Sequence, residues 1–142
     1  MDIRSFEEPD LVAVVALWRQ CGLVVPWNDP VADIRLALDS GHGTVLVGCE
    51  GSDILASVMV GHDGHRGWLY YLAVDPTRRK AGFGRRLVEA AESWTAARGI
   101  RKVELMIRGN NAAVREFYDR LGYRSEDVSV VSRWLDGTEP KG

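Results

Sequence analysis

The sequence predicts an α/β (α+β) fold, a mixed and mostly antiparallel sheet of about six to seven strands flanked by about four helices. Three observations lead there. Two stretches near the start carry apolar residues at helical spacing. Three strand-like runs then follow with only short connections, which favours antiparallel pairing. A later strand–helix–strand unit needs a crossover, and hence a parallel pair.

The elements follow in order. Ile3 to Phe6 reads as a short opening strand. Leu11, Val14, Val15 and Trp18 fall on one helix face, with Asp10 placed to cap it and Gly22 to end it. Val25-Pro26-Trp27-Asn28 is a loop. Asp29-Pro30 reads as a cap followed by proline at the first helical position, opening a helix through Val31, Ile34 and Leu38. Strand-like runs Thr44–Glu50 and Ile54–Val60 are joined by Gly51-Ser52-Asp53, a hairpin pattern. The polar, glycine-rich loop 61–67 leads to a strand over Trp68–Val74 closed by Asp75-Pro76. Phe83, Leu87, Ala90, Ala91 and Trp94 mark a helix ending at Gly99. Lys102–Ile107 reads as a strand, Asn111–Leu121 as a helix stopped at Gly122, and Val128–Leu135 as a final strand. Trp18, Trp68 and Trp94 read as core. Residues 136–142 read as a frayed tail to one domain spanning 1–142.

Bulk properties narrow the function. A chain of 142 residues with 46% hydrophobic and 27% charged content can bury its own core. A net charge of -2 disfavours a general nucleic-acid binder, although Arg78, Arg79, Lys80, Arg85 and Arg86 form a local basic cluster. Cys21 and Cys49 give neither a metal spacing nor a disulfide framework, so two thiols and no metal are expected. The charged start Met1-Asp2-Ile3-Arg4 is unlike a secretory signal, and no apolar run reaches membrane length. The expectation is a cytoplasmic protein, monomer or homodimer, without membrane or nucleic-acid partners.

One loop carries chemistry. The strand Trp68–Val74 runs through Asp75-Pro76 into Arg79-Lys80-Ala81-Gly82-Phe83-Gly84, and a helix begins there. The first amides of a helix lack intrahelical partners and sit at the positive end of its dipole, so the turn suits an anion. Gly82 and Gly84 let backbone approach a phosphate, and Arg79, Lys80 and Arg85 add charge. The position where a dinucleotide fingerprint has its third glycine holds Leu87, and no Gly-Lys-Ser/Thr follows, so neither a dinucleotide site nor a P-loop fits.

Leu72-Ala73-Val74-Asp75-Pro76 followed by Arg79-x-x-Gly82-x-Gly84 resembles the central motif of the GNAT superfamily of N-acetyltransferases. Asn111 to Tyr118, then Leu121-Gly122-Tyr123, resembles its later segment, and the element order agrees over nearly the whole chain. Pro26–Pro30 and Asp63–Gly67 resemble the corresponding loops of bacterial YpeA-type acetyltransferases. The resemblance implies a GNAT-type fold and acetyl-CoA as cosubstrate. The amides of Arg79, Lys80, Ala81, Gly82, Phe83, Gly84 and Arg85 would hold the pyrophosphate. The strand end Leu72, Ala73 and Val74 would pair with pantetheine and polarise the thioester carbonyl, and Asn111 would contact the pantetheine or pyrophosphate region.

Acetyl transfer to an amine needs a neutral nucleophile, a polarised carbonyl and a stabilised leaving thiolate. By the resemblance Tyr118 lies near the sulfur, and a phenol can donate to a thiolate. For the base the candidates are His65, His62 and Glu104, while Met106 holds the position where relatives place a glutamate. Trp27, Asp29 and Asp63 are candidates for binding a cationic acceptor. The structural alternatives are a hydrophobic anchor for Trp27, a helix cap for Asp29, a turn for Asp63 and the histidines, and core packing for Tyr118. A non-catalytic acyl-CoA-binding regulatory module is the alternative function.

Overall fold

The computed structural model describes residues 1–139. Backbone contacts divide the chain into two compact units, Met1–Met106 and a second beginning at Ile107.

The first unit holds β1 (Asp2–Ser5), α1 (Leu11–Gln20), α2 (Pro30–Asp39), β2 (Gly43–Glu50), β3 (Asp53–His62), β4 (Gly67–Val74), α3 (Phe83–Ala96) and β5 (Val103–Glu104). The strands lie in the order β1-β2-β3-β4-β5. Pairing is antiparallel through β4, and β5 joins β4 in parallel with α3 as the crossover. The second unit holds α4 (Ala112–Arg120).

Alternation along the strands separates two faces. Val45, Val47 and Met59 cluster with Val14 and Trp18 of α1 and Ile34 of α2. Leu46, Val58 and Val60 point the other way, toward the face where α3 contacts β2, β3 and β4. There α3 buries Leu87, Val88, Ala91 and Thr95.

Helix ends follow local chemistry. Asp29 accepts from the amides of Val31 and Ala32, and Pro30 occupies the first turn of α2. Gly22, at φ 70°, follows α1, where the Leu23 amide reaches back to the Trp18 carbonyl and Gly22 to Arg19. Asp10 departs from expectation. It makes no cap bond to α1; its carboxylate takes the Arg4 guanidinium at 2.7 and 2.9 Å and the Glu7 amide at 2.8 Å. A charged, two-pronged donor holds it in preference to the exposed helix amides.

The sheet has five strands among the described residues, fewer than the sequence predicts. Lys102–Ile107 contributes only the two residues of β5, which pair with Gly67 and Trp68. Val128–Leu135 forms no strand, and Val128, Val130, Val131 and Leu135 are exposed. Its alternating valines and serines supply strand propensity, but a strand exists only where a neighbour completes its hydrogen bonds. Trp68 and Trp94 also depart from the expected core positions. Both are half-buried, Trp68 bonding Asp63 and Trp94 lying beneath the Arg98 guanidinium. Positions 140–142 of the expected tail lie outside the described residues.

Candidate active site

β4 has an open edge. Its pairing with β5 ends at Trp68, and no strand lies along that side of residues 69–74 among the described residues. The start of the strand is tightly fixed, since a Cβ on Gly67 would come within 2.5 Å of Thr95 Cγ2 on α3. Further along there is a bulge. Met59 faces Tyr70 and Ser57 faces Ala73, so Tyr71 and Leu72 together stand opposite Val58. Tyr71 adopts φ 55°, the left-handed region that a bulky side chain disfavours. At the end of the strand, the Cys21 thiol donates to the Val74 carbonyl at 3.3 Å. Cys21 and Cys49 are both free thiols, Cys49 being buried.

The loop after β4 opens with Asp75, whose carboxylate accepts from the Thr77 amide and hydroxyl. Those bonds hold its carboxyl below the usual range. A single 3-10 turn, Pro76–Arg78, follows. The chain then passes through Lys80 at φ 69° and Gly82 at φ 80°, two left-handed residues that turn the backbone into α3. Gly82 is the N-cap, and no side chain caps this helix. The first helical bond runs from the Arg86 amide to the Gly82 carbonyl, so helix geometry leaves the amides of Phe83, Gly84 and Arg85 for an outside acceptor. The left-handed φ of Gly82 itself favours glycine, and no protein atom lies within 4 Å of where a Cβ would stand, so that side of the backbone is clear.

The basic cluster is partly engaged. Arg78 pairs with Glu50 at 2.9 Å and Arg85 with Glu89 at 3.3 Å. Arg79 approaches Cys21 Sγ at 3.8 Å, and Arg86 donates to the Met1 carbonyl. All are exposed ends that an anionic ligand can recruit.

The acceptor candidates divide between two places. Trp27 is exposed, and Asp29 spends one oxygen on the α2 cap. Asp29 also borders a 540 Å³ concavity lined by Arg19, Val24, Val25, Pro26, Asn28 and Pro30. Asp63, His65 and Glu104 are joined elsewhere through Arg66. Asp63 accepts from the His65 and Arg66 amides and the Trp68 indole, while Arg66 Nε lies 3.5 Å from Glu104. The backbone donors at Arg66 and His65, with the indole behind them, pull the Asp63 carboxyl down to about 2. His62 Nδ1 accepts from the Gly64 amide.

Sequence reasoning missed Tyr71 and Asp33. The Tyr71 hydroxyl donates to Asp33 Oδ2 at 2.6 Å, and its ring lies parallel to that of Trp18 with centroids 3.9 Å apart. Burial, then the Asp33 bond, raises the phenol well above its ordinary range.

In the second unit, Asn111 caps α4 by accepting from the Val114 amide at 3.2 Å. Gly122, at φ 91°, ends α4 as the sequence predicts, with Tyr123 bonding back to the Tyr118 carbonyl. Tyr118 is the buried residue of this helix, packed edge-on against Phe117 and Tyr123 at 5.0 and 5.3 Å. Burial pushes its phenol up to about 12.

The sequence matches the acetyltransferase (GNAT) family over residues 11–123. It is 40% identical to an acetyltransferase of Yersinia pestis (strain Pestoides F) over 135 residues, covering 95% of this chain and 96% of that protein. An acetyltransferase of Pectobacterium atrosepticum is 41% identical over the same length and coverage. Among solved structures, a putative acetyltransferase from Agrobacterium tumefaciens str. C58 superposes with a TM-score of 0.80 at 19% identity, covering 94% of this chain and 100% of that one. AAC(6')-Iy, solved in complex with the bisubstrate analog CoA-S-monomethyl-acetylneamine, superposes with a TM-score of 0.79 at 18% identity, covering 94% and 97%. These matches carry the family and not the YpeA-type subgroup.

Proposed function

Because the chain belongs to the GNAT family of acetyltransferases, with acetyl-CoA as cosubstrate, we propose that it passes the acetyl group directly to a primary amine in a ternary complex. The acceptor is a small molecule, a protein N-terminus or a lysine. The family match spans both compact units, which supports reading the chain as one acyltransferase domain. No helix among the described residues is long and apolar enough to cross a membrane; a cytoplasmic location is part of the proposal.

The observation that carries the reading is the start of α3. A left-handed Gly82 presents unspent amides directly after a strand with an open edge. A pyrophosphate seated on Gly82 to Arg85 gains the helix dipole and the nearby arginines. A pantetheine arm then has the edge of Leu72 and Ala73 for backbone hydrogen bonds, while the Val74 carbonyl is already taken by Cys21. Asn111 contacts the same arm in this reading.

In the transfer, the amine nitrogen attacks the thioester carbonyl carbon. The N–C bond forms, the C–S bond breaks, its electron pair leaves on sulfur, and the amine loses a proton. Tyr118 serves the leaving sulfur. With its phenol near 12 against a thiol near 8.5, handing over the proton is uphill, so Tyr118 acts as a hydrogen-bond donor to the thiolate and stays protonated. Glu104 and His65 are the candidates for receiving the amine proton, and Trp27, Asp29 and Asp63 for binding a cationic acceptor.

Free-thiol release from acetyl-CoA across a panel of small amines, peptide N-termini and lysine peptides tests the proposal. Acceptor-dependent release is expected. Tight acetyl-CoA binding without release on any acceptor would identify a regulatory binding module instead.

A further inference from the structure

The bulge in β4 is built on an unfavourable residue, and its anchors explain why. A left-handed φ at a bulge is ordinarily supplied by glycine. Here a tyrosine takes φ 55°, so something outside the strand holds it. The ring lies on Trp18, centroids 3.9 Å apart and planes within 1°. Trp18 is itself fixed by its indole N–H, which donates to Ser57 Oγ at 2.8 Å on the neighbouring strand. The far end of the side chain is fixed by Asp33 of α2 at 2.6 Å. Tyr71 is therefore clamped between α1, β3 and α2.

The bulge sets which backbone groups of Leu72 and Ala73 look outward. Amides alternate between the two edges of a strand, so slipping by one residue exchanges those facing β3 for those facing the open edge. A glycine at this position permits the bulge and several alternatives; the clamped tyrosine selects one.

We infer that Tyr71 and Asp33 are positioning residues for acetyl transfer: their hydrogen bond, with the Trp18 stack, fixes the β4 bulge so that an outward amide of Leu72–Val74 meets the thioester carbonyl. This rests on the proposed seating of acetyl-CoA along β4. The two side chains act through the backbone and touch no reacting atom. The pyrophosphate loop lies beyond Asp75, so loss of the clamp should misplace the carbonyl more than it weakens cofactor binding.

The test needs no acceptor. Acetyl-CoA labelled with ¹³C at the thioester carbonyl is bound to the protein, and its infrared carbonyl stretch is compared with that of the free molecule. Affinity is measured in parallel by calorimetry, and folding by thermal melting. Wild type is expected to shift the stretch to lower wavenumber. Tyr71→Phe and Asp33→Leu are expected to lose at least about half of that shift while affinity changes by less than about threefold, and Asp33→Asn, which keeps an acceptor, should retain most of it. Should Tyr71→Phe fail to fold, Asp33→Leu, at the α2 end of the bond, carries the comparison. A full shift in the folded Tyr71→Phe and Asp33→Leu proteins overturns the inference alone, as does a wild type that binds without any shift. A wild type that binds no acetyl-CoA overturns the cofactor reading and the inference with it.

Discussion

The indole N–H of Trp18 donates to Ser57 Oγ at 2.8 Å, with both side chains fully buried. This bond ties α1 to the middle of the sheet and supports the ring that carries Tyr71. Removing the acceptor leaves a buried donor without a partner. Ser57→Ala should therefore cost about 1–3 kcal/mol, read as a lowered urea midpoint at constant m-value. An unchanged midpoint would mean the bond contributes nothing net.

Gly67 tests the packing at the base of the open edge. Its missing side chain makes room for Thr95 Cγ2, and Val103 Cγ2 lies 3.4 Å from the same point. Gly67→Ala should destabilise by about 1–3 kcal/mol through overpacking. Adding Thr95→Ser deletes the offending methyl and keeps the hydroxyl that bonds Ala91, so the double variant should recover most of the loss. A double variant no more stable than Gly67→Ala would place the strain elsewhere.

The Asp63 carboxylate organises the turn between β3 and β4. Its folded pKa, about 2, lies below the ordinary carboxylate value of 3.8. A depressed carboxylate contributes stability that is present above the unfolded value and lost as pH falls through the folded one. Wild type should thus lose part of its stability between about pH 4 and pH 2, and Asp63→Asn should show a shallower decline there. Parallel acid melts of the two proteins would contradict this.

Tyr118→Phe should lower acetyl transfer about ten- to hundredfold, the loss of one hydrogen bond to a charged leaving group. Acetyl-CoA affinity should stay close to wild type. With the Tyr118 phenol near 12, the wild-type rate should show no ionisation of Tyr118 below about pH 10. An undiminished rate in the variant would remove Tyr118 from the mechanism.

What the sequence made legible was local. Asp29-Pro30, Gly22 and Gly122 announce helix ends because caps and left-handed residues act within a few positions. The loop before α3 was legible for the same reason: strand end, glycine and helix start are contiguous. The five-strand count was not, because Val128–Leu135 carries strand propensity without a partner. Asp10 was misassigned because Arg4, not the adjoining helix, claims its carboxylate. Tyr71 was invisible because its backbone conformation is imposed by Trp18 and Asp33. Tertiary anchors of that kind leave no pattern along the chain.

In the proposed complex the turn from Arg79 to Gly84 seats the cofactor. Titrating acetyl-CoA calorimetrically into wild type, Gly82→Ala and Gly82→Glu tests it most directly. Both variants bear the cost of a side chain at φ 80°, about 1–2 kcal/mol, so the alanine form controls for strain. Binding is expected for wild type, weakened binding for Gly82→Ala, and none detectable for folded Gly82→Glu, whose carboxylate opposes the pyrophosphate. Equal affinity in wild type and folded Gly82→Glu would contradict that seating.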